Sequence, residues 1–428
     1  MPRPIVYDVT HLVFRMAARA VTGIDRIDLA YGRHFAAAQG NEAFAAFCSP
    51  SGPRVMDAAT FLQIVVRAQQ AAWEDNPIGA DLNFLRVRDW LNGVPRRDHV
   101  RLMAPPSLGA RHWLTARYWE ANCRYTKTKH AVPRGGIYLN IAEHWLEYPK
   151  YFNWLTSRPD VEAVFFVHDL LPLDYPEYFR PGYEEVFRQR FETMARRGTA
   201  FIVSTQVVRE RLLEALGSFG RRDVPVHVAP LPSPLDLAGG EEGEPAPRHP
   251  YFVLVSTIEP RKNHLLVLNV WRALAEKLGD DMPRLVLIGS RGWENEQVVD
   301  MLERCDPVVK HVRHVARVSR RGLVWLVRHA QALLMPSFDE GYGLPLVEGL
   351  SLGTPVIASD IATFREVAGV AATLLSPIDG LAWAEAVTGF AGSDSPAWRN
   401  AKTKAAAYQA PNWGGYFTGV DQFLNALQ

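Results

Sequence analysis

One pattern constrains this 428-residue chain more than any other. Short apolar runs are each followed by a helical stretch, and the pattern occurs in two series. In the first half, Pro4 to Val9, Ala43 to Phe47, Gly136 to Ile141, Val161 to Val167, Ala200 to Ser204 and Val224 to Ala229 read as strands. In the second half the strands are Tyr251 to Ser256, Arg284 to Ile288, His311 to Val315, Ala332 to Met335, Pro355 to Ala358 and Ala372 to Leu375. Helical segments between these include Asn263 to Leu278, Glu294 to Glu303 and Arg320 to Ala330. Strands that alternate with helices make parallel sheets covered by helices, here twice over. The expected class is therefore α/β, and ligands should bind outside the carboxyl ends of the strands. Two such units facing each other place the site in the cleft between them.

The stretch Pro234 to Pro250, PLDLAGGEEGEPAPRHP, has no apolar periodicity and separates the two series. The expected division is a first domain over 1–235, a second over 236–410, and a closing amphipathic segment over 411–428. Hydrophobic residues at 48% and charged residues at 22% supply enough apolar surface for two cores. No apolar run approaches the roughly 20 residues that span a bilayer. The strand-like start PIVYDV lacks a signal-peptide core, so a cytoplasmic protein is expected. Cys48, Cys123 and Cys305 have neither a disulfide framework nor a zinc spacing, and buried thiols are expected.

The chemistry concentrates between Pro336 and Gly369, PSFDEGYGLPLVEGLSLGTPVIASDIATFREVAG. A strand end is followed by a loop with Gly341 and Gly343, then by Pro345, which suits the first turn of a helix. The glycines permit a ligand to come close to the main chain, and the helix start offers free N–H groups to phosphate. Glu340 stays in the loop while Glu348 lies about one turn into the helix. The two carboxylates should reach different parts of one extended polar ligand. They do not form the facing pair of a glycoside hydrolase, whose carboxyls flank one bond roughly 5 to 10 Å apart.

This segment resembles the E-x7-E signature of family 4 of the retaining, metal-independent glycosyltransferases with the GT-B fold, two Rossmann-like parallel-sheet domains facing across a cleft. The resemblance implies that Glu340 contacts donor-sugar hydroxyls near the anomeric carbon and Glu348 the ribose. Gly341, Tyr342, Gly343 and Leu344 would meet sugar and phosphate through their backbone. In STIEPRKNHLLVL, Arg261 and Lys262 are similar to a compressed form of the family's Arg/Lys motif, which implies diphosphate binding. His168, at the end of VFFVHD, matches a family histidine near the donor sugar; Asp169 would orient the loop or meet the acceptor. Gly23 and Ile24 resemble a T-G-I-x-R motif whose glycine loop meets donor phosphate or acceptor. Gly289 and Ser290 match a strand end near the nucleotide, Val318 and Ser319 a base clamp, and Glu366 a turn that closes the nucleotide site.

The implied reaction moves a hexosyl group from a nucleotide diphosphate sugar to an acceptor hydroxyl with retention. No cofactor is expected beyond the donor, and no metal. HDLLPLDYPEYF resembles bacterial mannosyltransferases of polysaccharide synthesis, which favours GDP-mannose and a glycan or lipid-linked acceptor. A catalytically silent nucleotide-sugar-binding subunit would keep the fold and lose the charged set. A nucleotide-sugar dehydrogenase would need a G-x-G-x-x-G turn, which neither first strand has. Asp81 to Arg134 carries eleven Lys/Arg against four Asp/Glu with interleaved aromatics. No nucleic-acid module accompanies them, so peripheral contact with an anionic membrane is the partner expected there.

Overall fold

The computed structural model describes residues 3–16, 22–37, 43–72, 78–94, 117–121, 123, 131–234, 245–392 and 394–427. Its first lobe is built on β1 (Ile5–Asp8), β2 (Ala43–Phe47), β3 (Arg54–Met56), β4 (Ile137–Asn140), β5 (Glu162–Val167), β6 (Ala200–Val203) and β7 (Val226–Val228). The second is built on β8 (Tyr251–Val255), β9 (Arg284–Ile288), β10 (Val312–Val315), β11 (Ala332–Met335), β12 (Val356–Ser359) and β13 (Thr373–Leu375). Among the described residues the sheet orders are β3-β2-β1-β4-β5-β6-β7 and β10-β9-β8-β11-β12-β13. Each order reverses beside its first strand, and there the carboxyl ends open a crevice.

Among the described residues all strand pairings but one are parallel, for example Ile5 with Ala43 and with Ile137. The exception is β3, which runs antiparallel to β2 with Ala45 opposite Met56. A hairpin needs only the short turn at Ser49–Gly52, where Gly52 adopts φ 99. β3 is three residues long, too short for its pattern to stand out in the sequence.

Some boundaries moved for local reasons. The helix expected from Asn263 starts at His264, because Asn263 is left-handed at φ 53. The helix expected from Glu294 starts at Glu296, because Glu294 is also left-handed, at φ 46. His311 closes the helix Asp306–His311 and does not open β10. Cys48 and Cys123 are buried as expected, whereas Cys305 is half-buried.

One apolar cluster runs through both lobes, from Tyr7 and Phe166 to Leu333 and Leu346. Two others cover the outer faces of the sheets. The helix Trp413–Ala426 packs on the first-lobe helix Gly23–Ala37. There Tyr416 and Tyr31 share a hydroxyl hydrogen bond of 2.7 Å, and Phe417 stacks on His34 at 4.0 Å. The helix Leu82–Leu91 belongs to the first half by sequence, yet it lies against the second lobe: Phe84 packs edge-on to Trp325. Most of the basic, aromatic stretch around it, 95–116 and 124–130, lies outside the described residues. Among the described residues no helix is long and apolar enough to cross a membrane.

Candidate active site

β11 ends at Met335, and the chain turns through Pro336–Gly343 into the helix Leu344–Ser351, with Pro345 in its first turn. Gly343 caps this helix at φ 94, and a Cβ there would stand 2.5 Å from the Phe364 ring. A Cβ on Gly341 would stand 2.3 Å from the carbonyl oxygen of His168. At both glycines a side chain would meet packed protein. At Gly341 the neighbour belongs to the other lobe.

Between the lobes, the hydroxyls of Ser204 and Thr205 both point at the carbonyl of Gly341, at 3.4 and 3.3 Å. The Tyr342 hydroxyl donates to the carbonyl of Leu231 at 2.7 Å. The Tyr342 side chain thus serves lobe packing. Glu366 does not face the cavity described below: its carboxylate accepts from the amides of Gln206 and Val207 at 2.7 and 3.1 Å, at the start of a first-lobe helix.

Glu340 is buried and sits at the centre of a charged cluster. Its Oε2 accepts from Arg261 Nη1 at 2.7 Å, and its Oε1 accepts from Lys262 Nζ and from Ser337 Oγ. Arg261 also donates to Glu259 at 3.0 Å and to the Asp339 carbonyl at 2.7 Å. Burial pushes the Glu340 carboxyl up, but Arg261 and Lys262 outweigh burial and hold it at about 2. Burial likewise lowers Arg261, and its ring of carboxylates more than compensates. The turn that aims both cations is short. Pro260–Lys262 forms one 3-10 turn, and the Asn263 side chain pins its end to the carbonyls of Pro336 and Pro377. The structure thus joins the two charged motifs of the second half into one cluster. Glu259 completes it, and nothing in its sequence setting marked that role.

His168 approaches this cluster from the first lobe. Its Nε2 faces the carbonyl of Ile141 at 2.8 Å, and burial depresses its imidazole to about 4. It is neutral at physiological pH. Its amide donates to Glu143 at 3.2 Å. Burial and the nearby Asp169 push the Glu143 carboxyl up to about 7. Glu143 and Trp145 both adopt left-handed backbone at φ 55 and 62, in the loop after β4. Such conformations in large side chains collect at functional sites.

Beside the cluster lies a cavity of about 520 Å³ between the lobes. Gly23, Gly289, Val318, Leu344 and Glu348 line it, with Ser290 and Ser319. Glu340, His168, Arg261, Lys262, Gly341, Tyr342 and Gly343 are not among the lining residues. Gly23 opens the helix Gly23–Ala37, and a Cβ there would stand 2.8 Å from Leu344. Two helix N-termini from opposite lobes therefore meet at the cavity, each with free N–H groups and a positive dipole end. A Cβ on Gly289 would collide with the carbonyl oxygen of Ser256 at 1.8 Å.

The cavity also has four arginines to which the sequence reading gave no role: Arg15, Arg26, Arg317 and Arg320. Arg26 crosses the cleft to pair with Glu348 at 3.2 Å, and Arg15 pairs with Asp25 at 2.6 Å. Burial raises the Glu348 carboxyl, and Arg26 only partly offsets it. Arg26 stands where the T-G-I-x-R pattern has its arginine, while Arg15, Arg317 and Arg320 carry no local signal. Only the folded cleft gathers these four.

Residues 241–390 match the family model described as Glycosyl transferases group 1. O-antigen chain mannosyltransferase B of Escherichia coli is 34% identical over 129 residues, covering 30% of this chain and 33% of its own length. The serotype-specific mannosyltransferase WbdA of Escherichia coli is 29% identical over 220 residues, covering 48% and 27%. The chain thus spans about a third or less of the length of these two relatives. O-antigen chain mannosyltransferase RfbU of Salmonella typhimurium is 28% identical over 225 residues, covering 52% and 58%. Among solved structures, Anabaena HepE in complex with UDP and glucose superposes with a TM-score of 0.60 at 13% identity, over 99% of this chain and 100% of its own. Sucrose-phosphate synthase from Thermosynechococcus elongatus gives 0.58 at 15% identity, over 98% of each chain. At these identities the structural likeness speaks for the fold alone. The chain has the GT-B fold, and its residues 241–390 match a glycosyl transferases group 1 domain.

Proposed function

We propose that the chain is a retaining glycosyltransferase. It moves a hexosyl group, mannosyl before others, from a nucleotide diphosphate sugar to a hydroxyl of a glycan or lipid-linked acceptor in cell-surface polysaccharide synthesis. The observation that carries this reading is the buried Glu340–Arg261–Lys262 cluster beside an interlobe cavity. The mannosyltransferases of O-antigen synthesis among the relatives support the sugar and the process.

In this reading the diphosphate enters beside Arg261 and Lys262. Both are already fixed by carboxylates and need little reorganisation to stabilise charge on the departing phosphate. Glu340 remains ionised and accepts from sugar hydroxyls, and Glu348 accepts from the ribose. Neutral His168 offers a hydrogen bond to the sugar without a charge. The leaving phosphate takes the acceptor proton as the new bond forms on the same face. Peripheral contact with an anionic membrane belongs to the same proposal, and co-sedimentation with phosphatidylglycerol vesicles tests it.

The central test combines a thermal-shift screen of GDP- and UDP-sugars with a transfer assay using the donor that stabilises most. GDP-mannose is expected to lead, and proton NMR of the product is expected to show the donor's anomeric configuration. Glu340→Ala is expected to keep nucleotide binding and lose transfer. Full transfer by that variant, or an inverted product, overturns the mechanism. Nucleotide binding without transfer in the wild type would favour a silent binding subunit.

A further inference from the structure

The helix Leu82–Leu91 is a first-half segment held behind the second-lobe wall of the interlobe cavity, and it does not itself line that cavity. Asp81 caps it: Oδ1 accepts from the amides of Asn83 and Phe84, both at 3.1 Å. The other oxygen, Oδ2, accepts from the amide of Ser319 in the second lobe. Ser319 in turn caps the helix Arg320–Arg328, its hydroxyl accepting from the amide of Gly322 at 3.1 Å. One carboxylate therefore serves two helix N-termini from different halves of the chain, a placement the dipoles favour twice.

The approach is close. A Cβ on Gly322 would stand 3.2 Å from both Asp81 Oδ2 and Phe84 Cβ. Asn83 adds a hydrogen bond from its amide nitrogen to the carbonyl of Arg317 at 2.8 Å. At the far end of the helix, Trp90 lies 4.6 Å from the guanidinium carbons of both Arg284 and Arg313, on β9 and β10. The residues held by Asp81 and Asn83, Arg317 and Ser319, flank Val318 on the cavity wall.

We propose that Asp81 is a positioning residue for the nucleotide end of the donor site. The helix Leu82–Leu91 is a brace that fixes the 316–319 wall against the base. This rests on the donor reading above. The wall meets the nucleotide and not the reacting atoms, so loosening it weakens donor binding while leaving turnover intact.

The test measures GDP and UDP affinity by calorimetry, and transfer kinetics with the accepted donor, on folded full-length variants. Asp81→Ala removes a charged acceptor and is expected to raise Kd and donor KM about tenfold with kcat unchanged. Asp81→Asn keeps an oxygen for the amides of Asn83 and Phe84 but turns an N–H towards the Ser319 amide. It is expected to keep the melting temperature near that of wild type and still raise Kd and KM, which a merely destabilised fold would not show. Trp90→Leu loosens the brace without touching the cavity and is expected to weaken binding in the same direction. Wild-type affinity and KM in both Asp81→Ala and Trp90→Leu overturn the inference while the donor reading stands. A wild type that binds neither nucleotide overturns the donor reading and the inference with it.

Discussion

Glu340 carries its charge where burial alone would remove it, and Arg261, Lys262 and the Ser337 hydroxyl are the reason. The carboxyl lies at about 2, against an ordinary 4.5. Its contribution to stability is therefore full above pH 4.5 and is lost as pH falls towards 2. Glu340→Gln removes the carboxylate that Arg261 and Lys262 share and leaves Arg261 with Glu259 alone. It should cost roughly 3 kcal/mol at pH 7, measured by urea denaturation, and much less near pH 2. An equal cost at both pH values would show that the charge contributes nothing. Glu143 titrates the other way, because burial and Asp169 raise it to about 7. The folded protein binds this proton more tightly than the unfolded chain does, so stability declines as pH rises from about 4.5 through 7. Glu143→Gln keeps an acceptor for the His168 amide and removes that decline. The variant should melt higher than wild type at pH 8 and equal to it at pH 4.5, and a lower melting temperature at pH 8 would refute the assignment.

At the scale of elements, most parallel strands were legible because each is a short apolar run bounded by turn residues. The helix Leu344–Ser351 was legible from Pro345 and its glycines. β3 was not, being a three-residue edge strand. Nor was the docking of Leu82–Leu91 on the second lobe, because which sheet receives a helix depends on contacts far apart in sequence. The glycines show where local reading stops. Gly343 and Gly341 were legible as positions that need glycine, but the partners that need it, Phe364 and the His168 carbonyl, come from folding. The charged cluster divides in the same way: Glu340, Glu348, Arg261 and Lys262 stand out in their motifs, while the part played by Glu259 and the pairing of Arg26 with Glu348 come from folding. Gly343 and Gly353 both have positive φ, at 94 and 66, but only Gly343 has a neighbour within reach of a Cβ. Gly353→Ala should cost about 1 kcal/mol from backbone strain alone. Gly343→Ala should cost about 3 kcal/mol because Phe364 must also move. Equal costs by chemical denaturation would mean that the Phe364 contact adds nothing.

Over the whole molecule, several of the contacts between the two lobes converge on one loop. From the first lobe, Ser204 and Thr205 reach the Gly341 carbonyl, His168 packs against Gly341, and Arg211 donates to Asp339 at 2.7 Å. Asp339 then accepts from the amide of Glu340 at 2.7 Å, which links the first lobe to the charged cluster in two steps. Arg211 also lies 3.6 Å from Asp174, so its guanidinium bridges carboxylates of both lobes. This arrangement makes Glu340 sensitive to how the lobes sit, although Arg211 is not among the residues lining the cavity. Arg211→Ala should therefore lower kcat about tenfold while donor affinity changes less than about twofold, since misplacing a reacting group costs turnover before binding. Part of the loss could come from an unpaired buried Asp339, and a second variant separates the two effects. Arg211→Ala with Asp339→Asn removes the stranded charge and should restore the melting temperature, yet kcat should stay low because the tie between the lobes is still cut. Recovery of kcat along with stability would assign Arg211 to charge balance alone and leave Glu340 positioned by its own lobe.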